Sequence, residues 1–490
     1  MNNEIPVQEG YSGEYDIIVI GAGIIGSMIA RELSRFQIRG ALIDKEPFPG
    51  FGVTKSGMAQ IHSTDFCPPG TLKGKLCLDA PAKFKRLAGL LDVTYREVDE
   101  LWLALESSQI ANIEAAKERG EGHGATGYEI IGAERIRELE PHVTEKAVSA
   151  LYIRGLGVIH PTEWSFALTE NAAQNGIETY FNTSVLNIQK AENRQYVIQT
   201  SRGAFKTKSI VNAAGLFADE IAWMVQDHHI RLTLRKGSVA ILDKSVSHLV
   251  RHMIFGTFSE THSQNVAPTA HGNLILGIHY TKTDNKGDTS VDREGIEKIM
   301  KLARELVPAL SKRDIITSFA GIMAGNTMTG NGDFYIAPSE HAPDLIHVIA
   351  GAPGLTAAPG IAELVVKMLS DAGIELEEKK AFQEKRKGWP LFSAALLDKQ
   401  KEMIASNPKF GHIVCRCEQV TEGEVTEAIH RGAGTLDAVK HVTRAGMGRC
   451  QGGFCGSIVL GLLSRGLGIP PQEVTKKGGR SFIAEGAMGE

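Results

Sequence analysis

The chain has 490 residues, of which 42% are hydrophobic, and its formal net charge is −4. Such a length exceeds one compact core, so we expect two or three domains. Acidic and basic residues are interleaved without a long basic run, which excludes an extended electrostatic surface for nucleic acid.

The amino-terminal segment carries no pattern for export or for a membrane span. Residues 1–16 are polar and acidic and lack the basic region and apolar core of an export signal. The most apolar stretch, residues 17–30, is shorter than the roughly 20 residues that cross a bilayer. We therefore expect a cytoplasmic protein, for which peripheral attachment at the inner face of the membrane stays open.

The first predicted unit is a strand, a glycine-rich turn, a helix and a second strand. Hydrophobic periodicity places the three regular elements at residues 15–20, 24–36 and 41–43. Gly21 permits the tight turn, Gly23 lets the backbone approach a pyrophosphate, and Gly26 lets helix and strand pack closely. This order is typical of a dinucleotide-binding unit.

Asp44 follows the second strand, where it is placed to accept a hydrogen bond from a ribose hydroxyl. An acid at this position disfavours a 2′-phosphate, which leaves FAD or NAD as the nucleotide. A glycine turn without a ligand is the alternative, but the complete order of elements ending in an acid favours a nucleotide site.

Later segments favour FAD over NAD. Residues 48–76 are rich in Gly, Pro, Ser and Thr, where a second nucleotide-binding strand would otherwise soon be expected. A predicted strand within 207–222 breaks at Ala-Ala-Gly, and residues 345–369 predict a strand, a Pro-Gly turn and a helix. A helix beginning near Thr356 would direct backbone N–H groups at the electron-rich pyrimidine edge of a flavin.

Seven segments carry a family resemblance: DIIVIGAGIIG, TKSGMAQIHS, ELEPHV, IVNAAGLFADEIA, PTAHGNLILG, FAGI and GAPGLTAAPGIAELV. In this order, across residues 14–370, they resemble the FAD-dependent glycerol-3-phosphate dehydrogenase and L-2-hydroxyglutarate oxidase branch of the amino-acid oxidase superfamily. The resemblance implies an α/β flavoprotein with a Rossmann-like FAD-binding domain and a mixed-sheet substrate domain.

The resemblance also predicts the domain boundaries. An oxidoreductase domain is expected over 14–375, with FAD-binding segments near 14–80, 150–222 and 330–370 and substrate-domain segments near 81–149 and 223–329. A connector would follow over 376–410, and a separate module over 411–480.

Cofactor contacts follow from the resemblance, position by position. Gly21, Gly23, Gly26 and Asp44 would contact the ADP moiety, Thr54, Lys55 and Ser56 the pyrophosphate and ring, Val185 the adenine, and Gly215, Gly354, Leu355 and Thr356 the flavin end.

Two histidines are candidates for accepting a proton from the substrate. His62 corresponds to a histidine beside the flavin ring in the resembled family, and His271 lies in PTAHGN. An imidazole with a pKa near neutral suits this step. The alternative for either residue is a hydrogen-bonded structural histidine.

The sequence departs from the resembled family where the substrate should bind. Met323 stands where relatives have an arginine that holds the substrate's anionic group, residues 237–239 read GSV instead of GEY, and HSTDF replaces HAGYD. A thioether cannot form a bidentate ion pair with a carboxylate or phosphate. Either Arg235, Lys236 or Arg251 meets the anion, or the substrate lacks one and Met323 packs against apolar atoms.

The carboxy-terminal module holds four of the six cysteines: Cys415, Cys417, Cys450 and Cys455. We predict a short strand into Cys415, a helix capped by Thr421 and Glu424, and a helix from Thr435. The other two cysteines, Cys67 and Cys77, form no such pattern.

Four thiolates can hold a 2Fe-2S cluster, and glycines near Cys450 and Cys455 would let backbone N–H groups face the sulfurs. A zinc site is the alternative, although zinc usually takes C-x2-4-C spacing rather than C-x-C. The spacing resembles the 2Fe-2S domain related to bacterioferritin-associated ferredoxin. That resemblance implies electron transfer to a partner, a second flavoprotein or other acceptor subunit.

The sequence therefore predicts a FAD and 2Fe-2S dehydrogenase of a small hydroxy compound, resembling glycerol 3-phosphate or a 2-hydroxy acid. An amine or opine-like dehydrogenase subunit, an oxygen-using oxidase and a non-catalytic electron-transfer subunit remain as alternatives.

Overall fold

The computed structural model describes residues 11–191 and 195–485. Their strands are β1 (Tyr11–Ile20), β2 (Gly40–Ile43), β3 (Gln60–Ile61), β4 (Tyr95–Glu97), β5 (Glu100–Ala104), β6 (Tyr128–Gly132), β7 (Ser149–Ile153), β8 (Gly157–Ile159), β9 (Ile177–Tyr180), β10 (Val185–Lys190), β11 (Tyr196–Thr200), β12 (Gly203–Asn212), β13 (Leu232–Leu242), β14 (Met253–Phe258), β15 (His262–Pro268), β16 (Leu274–Lys282), β17 (Ile315–Asn326), β18 (Tyr335–Pro338), β19 (Leu345–Ile349), β20 (Ile413–Cys415) and β21 (Val420–Thr421).

The α-helices of the described residues are α1 (Ile24–Leu33), α2 (Leu72–Cys77), α3 (Ala80–Leu91), α4 (Ile110–Gly122), α5 (Ala133–Leu139), α6 (Pro161–Gln174), α7 (Ala218–Met224), α8 (Arg293–Leu306), α9 (Gly354–Asp371), α10 (Leu397–Ser406), α11 (Glu422–His430), α12 (Leu436–Thr443) and α13 (Gly456–Leu467). Among these residues no helix combines the length and apolar character needed to cross a membrane.

The first sheet contains the predicted βαβ unit. β1 pairs in parallel with β2 and β12, and β2 pairs in parallel with β9. α1 packs against α6 and α9 on one face of this sheet, where a core of Ile, Leu, Val and Ala side chains is buried. The prediction of strand, turn, helix and strand is confirmed, although α1 ends at Leu33 and Phe36 instead forms an isolated β-bridge with Glu378.

The second sheet has eight strands in the order β17-β13-β16-β15-β14-β5-β7-β6. All neighbours are antiparallel except β14 and β5. α8, whose N-cap Asp292 accepts the N–H of Gly295 at 2.6 Å, covers one face. The predicted mixed sheet is confirmed.

In the structure, the substrate domain begins later in the chain than the sequence predicted. Residues from 81 were assigned to the substrate domain, but α3 packs against α9, and Phe84 and Leu91 are buried in the core of the first sheet. β4 then pairs with β8, so the second sheet begins only at Glu100. The apolar face of α3 decides this placement.

The carboxy-terminal module is a bundle of α11, α12 and α13 with the hairpin β20-β21. Thr421 and Glu424 form the predicted capping box at α11, and Thr435 caps α12 as predicted. The module shares one core with the first domain: Phe48, Phe51, Phe166 and Trp389 pack among the buried side chains of its helices. The module is therefore docked on the first domain.

Candidate functional site

A cavity of about 490 Å³ lies between the two sheets. It extends from the carboxyl ends of β1, β2 and β12 to residues of β13, β16 and β17. Its lining includes ten residues for which the sequence predicted cofactor contact: Gly21, Gly23, Gly26, Asp44, Thr54, Ser56, Gly215, Gly354, Leu355 and Thr356. This cavity is the candidate active site.

Glycines let the backbone close around one end of the cavity. Gly21 has a φ of +106°, and a β-carbon there would collide with the carbonyl oxygen of Ala213. A β-carbon on Gly26 would collide with the carbonyl oxygen of Gly21. Only glycine allows α1 to begin this close to β1.

The start of α1 offers backbone donors to this end of the cavity. Its N-cap residue, Gly23, has no capping side chain, and Thr54 Oγ1 accepts the N–H of Ile24 at 3.0 Å. Uncapped N–H groups and the helix dipole favour an anion here. A pyrophosphate fits this glycine cradle.

Asp44 is fixed at the tip of β2 by backbone hydrogen bonds. Its Oδ2 accepts the N–H of Ala22 at 2.6 Å, and its Oδ1 accepts the N–H of Glu46 at 2.8 Å. Burial raises the pKa of Asp44 to about 6 despite these bonds. The carboxyl group lies where a nucleotide-binding unit recognises ribose.

α9 begins at the other part of the cavity. Gly354, Leu355 and Thr356 line it, and the helix begins two residues before the predicted Thr356. Thr356 Oγ1 accepts the backbone N–H of His62 at 3.1 Å. The helix start and the segment carrying His62 therefore hold each other in place.

Lys55, which the sequence predicted to contact the pyrophosphate and ring, does not line the cavity. Val53–Ser56 form a single 3-10 turn, which places Thr54 and Ser56 on the cavity side. The ammonium of Lys55 lies 4.7 Å from the ring centre of Phe51, within the core shared with the carboxy-terminal module. The turn, which the sequence did not reveal, sends this side chain away from the cavity.

Val185 also lies outside the cavity lining. It begins β10, and its side chain packs against the core around Tyr15 and Phe205. The preceding segment does reach the nucleotide end, since the N–H of Thr183 donates to the carbonyl of Asp44 at 2.9 Å. Its predicted contact with adenine stays a prediction.

His62 lines the cavity and is surrounded by aromatic rings and acids. Its ring centre lies 5.3 Å from that of Phe66 and 5.9 Å from that of Phe255. Its Nδ1 is buried without a hydrogen-bond partner among the described residues, 3.7 Å from Glu100 Oε2. Burial lowers the pKa of His62 to about 4, so the imidazole is neutral at physiological pH.

Two acids beside His62 were missed by the sequence interpretation. Asp65 and Glu100 are fully buried, and within the described chain none of their carboxyl oxygens has a hydrogen-bond partner. Burial raises the pKa of Glu100 to about 8 and raises that of Asp65 well above its ordinary value. Asp65 lies three residues after His62, which was an available signal; nothing local marks Glu100.

Polar and aromatic side chains line the substrate end. The side-chain amides of Gln60 and Asn265 are hydrogen-bonded at 3.2 Å, and the rings of Phe66, Phe255 and Phe258 pack together. Met323 also lines this part of the cavity. The walls therefore suit a small compound with both polar and apolar parts.

The structure does not support His271 as the catalytic base, because it does not line the cavity. It lies in the turn between β15 and β16, where the N–H of Thr269 donates to the carbonyl of Asn273 at 2.8 Å. Its ring meets that of His160 edge to face, with centres 5.1 Å apart. The turn directs the side chain to the module interface.

The four predicted cysteines of the module converge. Cys417 and Cys450 have sulfurs 3.7 Å apart. Burial and then the neighbouring thiol of Cys415 raise the pKa of Cys455. Gly448 packs so closely on Cys417 that a β-carbon on the glycine would collide with the cysteine's Cβ. Four sulfur ligands are thus brought to one site.

Backbone donors favour negative charge at this site. The N–H groups of Phe454, Gly452 and Gly453 donate to Cys450 and lower its pKa, as the glycine content predicted. Burial raises the pKa of the Cys455 thiol to about 12. Four neighbouring thiols, with backbone N–H donors at Cys450, fit a 2Fe-2S cluster.

Comparison with known families matches both parts of the chain. Residues 16–368 match the FAD dependent oxidoreductase family, and residues 413–465 match the BFD-like [2Fe-2S] binding domain. The chain belongs to the FAD-dependent oxidoreductases. Its cofactors are FAD and a 2Fe-2S cluster. The glycine cradle and the uncapped helix starts suit FAD, and the four cysteines suit the cluster. The zinc alternative has no support from the family match.

Two similar proteins are named for their activity on glycerol 3-phosphate. A glycerol 3-phosphate dehydrogenase of Caloramator mitchellensis is 38% identical over 477 residues, covering 96% of this chain and 98% of that protein. A glycerol 3-phosphate oxidase of Mycoplasma genitalium is 27% identical and covers 72% of this chain and 94% of its own length.

A solved structure has the same fold. The dithionite-reduced, FAD-bound L-alpha-glycerophosphate oxidase of Mycoplasma pneumoniae superposes with a TM-score of 0.71 at 26% identity. The match covers 76% of this chain and 98% of that one. The α/β FAD-binding fold predicted from the sequence is confirmed.

Proposed function

We propose that this flavoprotein is a dehydrogenase that oxidises the CH–OH group of a small hydroxy compound bearing a phosphate or carboxylate, with glycerol 3-phosphate the first candidate. The electrons would leave through the 2Fe-2S cluster to a partner protein. The names of its relatives support the substrate class. The observation that carries the proposal is the Arg235 guanidinium beside the cavity that holds the neutral imidazole of His62.

Arg235 does not itself line the cavity, but it lies on β13 next to residues that do. On β13, Gly237 and Val239 line the cavity, and alternation along a strand puts Arg235 on the same face. Its cross-strand partner on β17 is Met323, which also lines the cavity. Met323, which stands where an arginine was expected, therefore lies directly opposite Arg235.

Arg235 is available for an anionic ligand. Its guanidinium stacks on the ring of Tyr280, a cavity residue, at 3.8 Å from the ring centre. Within the described chain no carboxylate forms an ion pair with it. A planar guanidinium held on an aromatic ring is oriented for bidentate binding of phosphate or carboxylate.

The other two cations considered from the sequence are less suitable. Lys236 faces the opposite side of β13, where its Nζ binds Asp288 at 2.8 Å and Ser290 at 3.2 Å. Arg251 is exposed and precedes β14, where its backbone N–H donates to Glu140 Oε1 at 2.7 Å. Arg235 is therefore the candidate for binding the anionic group that an arginine at position 323 would otherwise hold.

His62 would accept the proton of the substrate hydroxyl. Its Nδ1 faces Glu100, so Nε2 is the ring nitrogen left for the substrate. A neutral imidazole can take this proton, whereas an imidazolium cannot. When bound, FAD supplies a two-electron acceptor and the 2Fe-2S cluster a one-electron carrier.

The cluster site has an exposed face suited to a partner protein. Cys417 is exposed, and the ring of Phe454, next to Cys455, is 80% exposed. An exposed aromatic side chain beside a redox site is typical of a docking point. A partner flavoprotein or other acceptor subunit would bind there.

Anaerobic mixing with a substrate panel tests the proposed reaction. Glycerol 3-phosphate and L-2-hydroxyglutarate should bleach the visible flavin band, while glycerol and amino acids should not. The proposal fails if only amino acids bleach the flavin, or if no compound of the panel does.

Arg235→Ala tests the anion site separately. Loss of a hydrogen-bonded charge pair, about 1.5–3 kcal/mol, should raise KM for the anionic substrate roughly ten- to a hundredfold. Arg231→Ala is the control and should leave KM unchanged, because its guanidinium stacks on Trp223, which does not line the cavity as Tyr280 does. An unchanged KM in Arg235→Ala would refute this anchor while leaving the reaction itself intact.

Cys417→Ser tests the electron route. The variant should lose iron and turnover with a protein or quinone acceptor, yet its flavin should still be bleached by substrate. Full aerobic turnover with stoichiometric peroxide in this variant would instead identify an oxygen-using oxidase.

A further inference from the structure

Three side chains with metal-ligating atoms meet outside the flavin cavity. His160 and Glu163 lie at the start of α6, and His271 lies in the turn between β15 and β16. One ligating atom from each lies within 4.8 Å of those of the other two. The cluster is close enough for modest side-chain movement to bring three ligands onto one ion.

Two of these atoms are buried and unsatisfied. Glu163 Oε2 and His271 Nε2 have no hydrogen-bond partner in the described parts of the chain. The other oxygen of Glu163 accepts from the N–H and hydroxyl of Thr94 at 3.2 and 3.3 Å, which fixes the carboxylate. The side chain of Glu163 is only 10% exposed, so an unpaired oxygen there is costly.

The third ligand is oriented by a neighbouring hydroxyl. Thr162 Oγ1 lies 3.2 Å from His160 Nε2, which leaves Nδ1 as the coordinating nitrogen. That Nδ1 is 3.9 Å from Glu163 Oε2. Ligating histidines in metal sites commonly have the other ring nitrogen held by such a hydrogen bond.

Charge around the cluster permits a divalent cation. His271 Nε2 has no hydrogen-bond partner among the described residues, so its lone pair is available to an ion. The nearby cation Arg444 is held by Glu418 at 2.7 Å and by Asn273 at 3.1 Å. Glu163 is the acidic residue among the three.

We propose that His160, Glu163 and His271 form a zinc site at the interface between the flavin domain and the carboxy-terminal module. Two imidazoles and one carboxylate suit zinc, whereas magnesium and calcium prefer oxygen ligands alone. A water molecule would complete the tetrahedral set.

The position of the site gives it a structural role. Thr162, between two of the ligands, lies 3.3 Å from His441 Nδ1 of α12, and Asn273, two residues after the third ligand, binds Arg444 of the module. Zinc would join the α6 start to the β15–β16 turn. These two segments form the surface that receives α12.

The test is metal analysis of the full-length holoenzyme from zinc-supplemented cells, with zinc X-ray absorption spectra of the same sample. We expect about one zinc per chain besides the cluster iron, with nitrogen and oxygen ligands only. His160→Ala and His271→Ala should each lower zinc content at least about tenfold while retaining iron and FAD. His252→Ala, which alters another partly buried histidine paired with a carboxylate, Glu140, should retain zinc.

Glu163→Gln keeps the size and shape of the side chain, so it tests the site without leaving the space that an alanine substitution would. It should lose zinc at unchanged FAD content, because an amide oxygen is a poor zinc ligand. Sulfur ligands in the zinc spectrum would place the ion at the cysteines and overturn the proposal. So would zinc-free holoenzyme after incubation with zinc, or zinc retained in all three ligand variants.

Discussion

His62 sits among groups that are kept uncharged by burial, and this sets its pH behaviour. Because the pKa of His62 is about 4, the base is already neutral well below pH 6.5. Protonation as pH falls through about 4 removes it. We expect kcat/KM to stay level from neutral pH down to about 5 and to fall only towards pH 4, measured in enzyme that remains folded.

Replacing this base gives the first mutational prediction. His62→Asn should lower kcat about 10²- to 10⁴-fold, because proton transfer is lost while the backbone bond to Thr356 remains. FAD content and thermal stability should change little. His252→Asn serves as control, and a loss below about threefold in His62→Asn would argue against the assigned role.

Glu100→Gln should change how stability depends on pH. The folded chain retains a proton on Glu100 up to about pH 8, whereas the unfolded chain loses it near the ordinary value of 4.5. Between these values the unfolded state binds fewer protons, so the free energy of unfolding falls as pH rises, by at most about 1.4 kcal/mol per unit.

The neutral amide that replaces the carboxyl group in this variant has no such dependence. The Tm of Glu100→Gln relative to the wild type should therefore increase from about pH 5 to about pH 8. Glu145→Gln, at an exposed position, should track the wild type throughout. A parallel pH profile for both variants would show that Glu100 does not titrate in this window.

At the scale of elements, the loop before α13 depends on close backbone contact. Gly448→Ala should displace the loop from Cys417, because the added methyl group collides with the cysteine's Cβ. Iron content and the cluster's visible absorption should fall severalfold, with FAD retained. Gly434→Ala in the same module has only one neighbour, at 3.9 Å, and should keep its iron.

Local patterns predicted the elements whose roles depend on adjacent residues. The turn at Gly21, the acid after β2, the capping box at Thr421 and the cysteine spacing are all encoded within short segments. Lys55 and His271 do not line the cavity, since a 3-10 turn and a β-turn decide where their side chains point. Arg235 required the register of β13 against β17, which no local pattern contains.

At the scale of the whole molecule, Glu418 links the module to the substrate domain. Its carboxylate, with 3% of the side chain exposed, binds Lys244 at 2.8 Å and Arg444 at 2.7 Å. Glu418→Gln leaves both cations without their partner and should loosen docking. Turnover with the acceptor should fall severalfold, while bleaching of the flavin by substrate keeps its rate.

Stopped-flow absorbance and steady-state assays separate these two rates. Asp437→Asn, which breaks an ion pair with Lys476 within the module, is the matched control. Equal losses in both rates for Glu418→Gln would indicate general destabilisation. Truncation before Gly411 is a poorer test, because it uncovers the shared core around Phe48 and Trp389.

The segment between β2 and β3 serves both cofactors. Phe48 and Phe51 are buried against the module, and a few residues later Thr54 and Ser56 line the flavin cavity. Because this one segment contacts both the flavin cavity and the module that holds the cluster, we expect the binding of the two prosthetic groups to be coupled, and the coupling is reciprocal. In iron-limited cells, an enzyme made without its cluster would therefore also bind FAD less tightly.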